Sequence, residues 1–186
     1  MSSIKLTADS GGGTFELKAP SSSGNTRVLT VPDTANGTVL TTTNPKAGNI
    51  IQVLQTVKTD TFSVTGTATA DVTGLSVAIT PSSTSNKILV SYNLSVAIES
   101  GGYNGFIFLL RDSTQISIKT VGVGTGAVNS QGCRDTFAIV RLDEPSTTSQ
   151  ITYKTQGKVN ATDNSGTCRF QEGGTRSEIV LIEIEG

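Results

Sequence analysis

Apolar and polar residues alternate along most of this chain, with a period of two. The clearest run is 87–99, where Ile88, Val90, Tyr92, Leu94, Val96 and Ile98 occupy every second position. On a helix the intervening Ser91, Asn93 and Ser95 would scatter to all sides, so the pattern predicts one long strand with an apolar face. Shorter runs at 50–57, 61–64, 71–80, 103–111, 114–120, 135–142, 149–159, 168–171 and 177–185 repeat the theme. Turn-forming clusters such as Pro81-Ser82-Ser83-Thr84-Ser85-Asn86 and Ser100-Gly101-Gly102 separate them. No segment has a convincing helical period. The pattern predicts an all-β protein whose head is an antiparallel two-sheet sandwich of the jelly-roll kind.

The logic changes near Pro45. Residues 1–47 hold only short apolar pairs, Ile4/Leu6, Phe15/Leu17, Leu29/Val31 and Val39-Leu40, set between Gly-, Ser- and Asn-rich tracts. So few large side chains cannot build a core of their own. The repeated period-2 spacing predicts an extended, β-rich N-terminal arm that orders against other chains, with residues 48–186 forming the head.

Several head strands are apolar on both faces. In 177–185, Val180, Ile182 and Ile184 are expected to line the core, which turns Ile179 and Leu181 outward. The run 106–110 and the pair Ile50-Ile51 behave likewise, giving Ile50, Ile107, Leu109, Ile179 and Leu181 as an expected subunit interface. Antiparallel sandwich strands normally keep one face polar, so two-faced strands imply a second burial surface, expected in a closed cyclic oligomer.

Composition narrows the chemistry. The 186 residues include no histidine and no tryptophan, 35% are hydrophobic and 16% charged, and the formal net charge is -1. Without histidine there is no Ser-His-Asp triad, Cys-His dyad or histidine metal ligand. A charge near zero gives no footprint for a nucleic-acid backbone. Charged residues fall below the usual ~25%, and Ser and Thr supply the polarity, as suits a hydroxyl-rich β surface. No stretch approaches the ~20 apolar residues of a spanning helix. Met1–Lys5 leads straight into alternating sequence without the apolar core of a secretion signal. Cys133 and Cys168 are therefore expected as buried free thiols, with pairing across neighbouring strands still open.

Candidate chemistry is sparse. Asp143-Glu144 ends a strand and points two ways, and Glu183 with Glu185 reads as a solvated strand end. The glycine-rich 121–127 lacks a G-x-G-x-x-G spacing and a following helix, and 163–166 lacks the spaced acids of a calcium loop. No catalytic residue, metal ligand or cofactor site is assigned. Tyr103-Asn104 beside Gly101-Gly102 could present a sugar platform, and Asn129 and Asn164 sit in other candidate recognition loops.

A family resemblance covers nearly the whole chain. Ser3-Ile4-Lys5-Leu6, Phe15-Glu16-Leu17-Lys18-Ala19-Pro20, Arg27-Val28-Leu29-Thr30-Val31-Pro32 and Gly37-Thr38-Val39-Leu40 resemble the opening of phage tail-fibre and virion-surface proteins, especially those of marine and cyanobacterial phages. Lys58-Thr59-Asp60-Thr61-Phe62-Ser63, the segment 74–90, the segment 142–154 and the closing Ile179-Val180-Leu181-Ile182-Glu183-Ile184 resemble their head domain. The resemblance implies a homotrimer with a sandwich head. It implies a non-enzymatic virion protein made in the host cytoplasm and bound to other capsid or tail proteins. Ile4, Leu6, Phe15, Leu17, Leu29 and Val31 would then anchor it. With no extended shaft, the expected role is capsid decoration, as a cement or head-fibre protein, or a short tail fibre. The alternative is a carbohydrate-recognising adhesin module that binds host-surface glycan. Neither role involves nucleic acid or membrane insertion.

Overall fold

The computed structural model describes residues 3–7, 10–18, 24, 46–99, 104–122, 133–160 and 166–186. The chain divides into two compact units, Met1–Val39 and Leu40–Gly186.

The first unit contains a two-stranded antiparallel ribbon, β1 (Ser3–Thr7) and β2 (Thr14–Lys18). Gly11 and Gly12 in its connection take positive φ, the left-handed backbone that glycine adopts without steric cost. The register sets Ile4 opposite Leu17 and Leu6 opposite Phe15, and Leu6 is exposed.

The second unit is a two-sheet sandwich. Its strands are β3 (Ile50–Lys58), β4 (Phe62–Thr65), β5 (Ala70–Ile79), β6 (Lys87–Glu99), β7 (Asn104–Arg111), β8 (Thr114–Gly122), β9 (Cys133–Asp143), β10 (Ile151–Asn160), β11 (Thr167–Phe170) and β12 (Ser177–Ile184). A single 3-10 turn, Glu172–Gly174, is the helical content of the described residues. One sheet runs β5-β10-β7-β8, and the other runs β3-β12-β6-β11-β4. Along β6, β12 and β11 share one edge in succession, and β9 pairs along nearly its whole length on the other.

This order has a simple origin. The antiparallel pairs β7·β8, β6·β9, β5·β10 and β3·β12 nest inside one another, like one long hairpin folded at Asp112-Ser113. Rolling that hairpin brings β12 beside β6 and β10 beside β7. The result is the eight-stranded jelly roll, with β4 and β11 extending the larger sheet.

The core lies between the sheets. The alternating set of β6, from Ile88 through Ile98, is buried as its period predicted. It meets Val72, Leu75, Val77 and Ile79 of β5, Ile107 and Leu109 of β7, and Ile151, Tyr153 and Val159 of β10. Both core tyrosines find partners, because a buried hydroxyl without one is costly. Tyr92 donates to Ser117 Oγ at 3.2 Å and Tyr153 to Asp143 Oδ2 at 2.6 Å.

Two strands face opposite to expectation. On β12, Ile179 and Leu181 are buried at 0% exposure, and Val180, Ile182 and Ile184 lie half-buried on the outer face. On β7, Ile107 and Leu109 are also at 0%, with Phe106 and Phe108 outside. The expected interface set is therefore corrected: Ile107, Leu109, Ile179 and Leu181 fill the core of their own chain. Ile50, at 63% exposure, is the member that stays on the surface.

Candidate functional site

The rolled topology gives the head two unlike ends. One gathers the chain entry at 46–49, the turns 80–86, 112–113 and 144–150, and the exit at 185–186. The other gathers the connections 59–61 and 66–69 with the strand ends at 99, 104, 122, 133, 160 and 166.

The first end is tied by two carboxylates, one fully buried and one partly buried. Glu183 sits at the end of β12 with 0% exposure. Its Oε1 accepts from Ser82 N at 2.7 Å, Ser82 Oγ at 2.9 Å and Asn86 Nδ2 at 2.6 Å, and its Oε2 accepts from Gln52 Nε2 at 2.5 Å. Burial pushes this carboxyl up. Hydrogen bonds from Gln52, Asn86 and Ser82 outweigh that push and hold it below the ordinary glutamate value. The solvated position expected for Glu183 is thus corrected: four donors from β3 and the 80–86 turn make it a core acceptor.

Asp143 is also structural. Its Oδ2 accepts from Arg111 Nη1 at 2.7 Å and from Tyr153 hydroxyl, so it bridges the edge strand β9 to the opposite sheet. Burial and the neighbouring carboxylate push Tyr153 strongly up, which keeps it a neutral donor. Glu144 pairs with Lys87 at 2.9 Å on the surface. The chain enters beside this knot through Gly48 N to Glu185 O at 2.8 Å and Glu185 N to Asn49 O at 2.9 Å.

The second end carries the strand ends that flank the candidate recognition loops. Asn104 opposes both Gly122 and Asn160, Glu99 opposes Thr167, and Ile98 opposes Cys133. Those pairings bring the anchors of 100–103, 123–132 and 161–165 together at this end. Asn104 is described and half-buried; Gly101, Tyr103, Asn129 and Asn164 lie outside the described residues.

Near this end, a cleft of about 220 Å³ opens on the outer face of the large sheet. Ser95, Val96 and Ala97 of β6 line it, with Arg134, Asp135 and Thr136 of β9, and Glu172 and Thr175. Glu172 lies between two arginines, with Arg134 Nη2 at 3.3 Å and Arg169 Nη1 at 3.6 Å. Sequence reasoning missed this cleft because its walls come from three distant segments.

Toward the other end, the outer face of the large sheet is apolar. Cross-strand register lines up Val53, Ile182, Leu89 and Leu142 in one row across β3, β12, β6 and β9. The next row is Gln55, Val180, Ser91 and Val140. Val53 and Val140 are each 55% exposed and Leu142 is 54% exposed. Neither row holds a charged residue.

Cys133 and Cys168 both oppose Ile98, one on each side of β6. Two strand spacings of ~4.8 Å put their Cα atoms ~9–10 Å apart, too far for a bridge. Cys168 is a buried free thiol. Among the described residues there is no cluster of three or more metal-ligating side chains, and no helix is long and apolar enough to cross a membrane. The expected anchors Leu29 and Val31 lie outside the described residues.

No protein-family model matches the chain, and no curated protein does. Among solved structures, it is similar to the infectious bursal disease virus Gt strain structure, at 12% identity and a TM-score of 0.37, over 86% of this chain and 42% of that one. The VP2 subviral particle of the same virus gives 12% identity and 0.35, again over 86% and 42%. A mutant VP2 in derived T=1 particles gives 12% and 0.35, over 97% and 44%. The chain thus spans less than half the length of these viral proteins.

Proposed function

We propose that this chain is a non-enzymatic structural protein of a phage virion. In this reading it is a homotrimer whose N-terminal arm attaches it to capsid or tail proteins, as a decoration protein or short fibre. The carrying observation is the uncharged apolar row Val53–Ile182–Leu89–Leu142 with Val180 and Val140 beside it. A contiguous apolar strip on the outside of a sandwich sheet is a surface that association would remove from water. A second copy is the occupant that best fits it, because a face without charge meets no like charge on an identical partner.

Two further observations support the reading. An isolated two-stranded ribbon such as β1–β2 is marginal in water, which suits an arm that orders against a larger body. The chain enters the head at the knotted end, so an anchored arm would leave the loop-bearing end pointing away. The likeness of the arm and head sequences to phage virion proteins agrees with both.

Light scattering on the purified chain tests this. A mass three times 19.3 kDa is expected at micromolar concentration. Val53→Lys with Leu142→Lys would convert it to monomer while leaving the exposed positions' stability within ~0.5 kcal/mol. A wild-type monomer would overturn the proposal, as would an oligomer indifferent to both lysines.

A further inference from the structure

The free edges of the two sheets are not alike. An edge strand presents unpaired N–H and C=O groups to any other extended chain, and folded proteins blunt such edges by shortening or bulging them. Here β4 is four residues long, and the pairings of β3, β5 and β8 with their neighbours are each interrupted by a register shift. β9 carries neither device. It pairs with β6 at eleven successive positions without a shift and contains no proline or lysine. Among the described residues, no strand pairs with its other side.

The side chains of β9 select what can occupy that edge. Asp135 opposes Val96, Phe137 opposes Leu94, Ile139 opposes Tyr92 and Arg141 opposes Val90, so all four share the core-facing side of the sheet. Phe137 and Ile139 pack on the core, and Lys119 of β8 lies over the Phe137 ring at 5.9 Å. Asp135 and Arg141 stay exposed, and neither has an ion-pair partner among the described residues. They stand three residues to either side of Ala138, with opposite sign.

Two identical strands paired antiparallel have one freedom, their register. For the sheet to continue, outer face must meet outer face, which puts the two-fold axis on a residue and perpendicular to the sheet. Centred on Ala138, all eleven positions overlap, and Asp135 of each copy lies opposite the second copy's Arg141. Phe137 then meets Ile139, Thr136 meets Val140 and Arg134 meets Leu142. An axis on Ile139 would set Asp135 against the second copy's Asp143, and an axis on Phe137 would set Asp135 against Ile139. Opposite charges directly across a ladder favour a register, and like charges disfavour it, so the Ala138 register wins.

We propose that β9 is a self-complementary edge through which two copies join their large sheets into one, antiparallel and two-fold, centred on Ala138. The occupant is a second copy because an unrelated strand would leave Asp135 and Arg141 without their opposites, which penalises other partners. The contact uses the backbone edge of β9 and not the apolar outer face, so it stands independently of the trimer; where both form, it joins trimers in pairs. A single pair of strands is a small contact, so it closes where copies are crowded, at millimolar concentration or side by side on a larger body.

Disulfide trapping on the full chain tests it. In a Cys133→Ser background, Ala138→Cys places identical side chains directly across the axis, within reach of a bridge. Oxidation at millimolar concentration should give covalent dimers on a non-reducing gel. Val140→Cys, whose counterpart lies well along the strand in this register, should give at least tenfold less. Asp135→Arg or Arg141→Asp, each added to Ala138→Cys, sets like charges opposite each other twice and should cut the yield at least tenfold. An equimolar mixture of those two variants restores both opposite-charge pairs and should recover the yield as a heterodimer. Far-UV circular dichroism confirms that each variant is folded. No cross-link from Ala138→Cys would overturn the proposal. So would equal trapping of Val140→Cys, or charge variants that trap undiminished or are not rescued by mixing. Light scattering on dilute samples separates this contact from the trimer. A dilute monomer that traps through Ala138→Cys sinks the trimer alone, and a trimer that never traps sinks the edge contact alone.

Discussion

Replacing Glu183 by alanine should be among the most damaging single changes in the head. The carboxylate has 0% exposure and takes hydrogen bonds from Gln52, Asn86 and both the amide and hydroxyl of Ser82. Truncation leaves the buried Asn86 amide with Ser82 Oγ as its remaining acceptor and removes the acceptor of the Ser82 amide, which water can reach on that exposed residue. At ~1–3 kcal/mol for the buried donor and ~0.5–1.5 kcal/mol for the Ser82 hydrogen bond, the loss is about 2–4 kcal/mol before any cavity cost. For a chain of this size that lowers Tm by roughly 5–15 °C. Glu183→Gln should be much milder. Its carbonyl can replace Oε1, and Gln52 can turn its own amide to accept at the loss of its exposed 3.1 Å hydrogen bond to Thr80 O, so the cost is about 1–2 kcal/mol.

The pH dependence provides the sharper check. Because the folded carboxyl is held below its unfolded value of ~4.3, its contribution is fully present above that pH. It fades as pH falls through the folded value. The gap between wild type and Glu183→Gln should therefore narrow on acidification, and Asp60 and Asp71, also held low, cancel in that comparison. Urea unfolding at neutral and acid pH measures both effects. Equal losses for Ala and Gln at neutral pH, or a gap undiminished in acid, would refute the account of the knot.

Two other outcomes follow from the core. A Cβ at Gly157 would lie 2.7 and 2.9 Å from the Phe170 ring, a fully buried aromatic with little room to move. Gly157→Ala should thus cost about 1–3 kcal/mol by overpacking, read as a lower urea midpoint with an unchanged slope. Burial pushes the Cys168 thiol up to about 12, so it should resist an aromatic disulfide reagent at pH 8 while the chain is folded. Non-reducing alkylation in denaturant, read by intact mass, should label both cysteines; a chain that takes up no label would contradict the strand register.

What could be read from sequence was set by how sharply each strand alternates. On β6 the polar spacers Ser91, Asn93 and Ser95 fix the face, and the observed burial follows them. On β12 every position from Ile179 to Ile184 except Glu183 is apolar, so the period alone cannot choose. Charge was the tiebreaker and it misled: turning Glu183 outward takes Ile179 and Leu181 with it. Three of its donors lie about a hundred residues back, in the turn that leads into β6, the fourth, Gln52, lies further back on β3, and nothing local announces them. On β7 the aromatics Phe106 and Phe108 take the outer face, where Lys158 lies over Phe106 at 5.6 Å. The nested strand order was equally hidden. Only β7 and β8 meet through a tight turn, whereas β3 finds β12 from the far end of the chain. The cleft shares that cause, since β6, β9 and the 171–175 segment meet only after rolling.

The same topology bears on the proposed anchoring. With the arm as anchor, tension reaches the head at Lys46 and runs along β3. That strand is the one paired with the last strand of the chain, through eight registered positions from Ser177–Lys58 to Ile184–Ile50. Pulling β3 along its own axis loads these pairs together, whereas a pull across the sheet would open them one at a time. Side chains reinforce the same seam, with Gln52 on Glu183 and Gln55 on Glu178 at 3.1 Å. The strand ends that flank the candidate recognition loops lie at the opposite end, a strand length of ~40 Å away along β6. Under the proposed reading, sequence change in those connections would leave Glu183 and its donors untouched, so recognition could vary without loosening the anchored end.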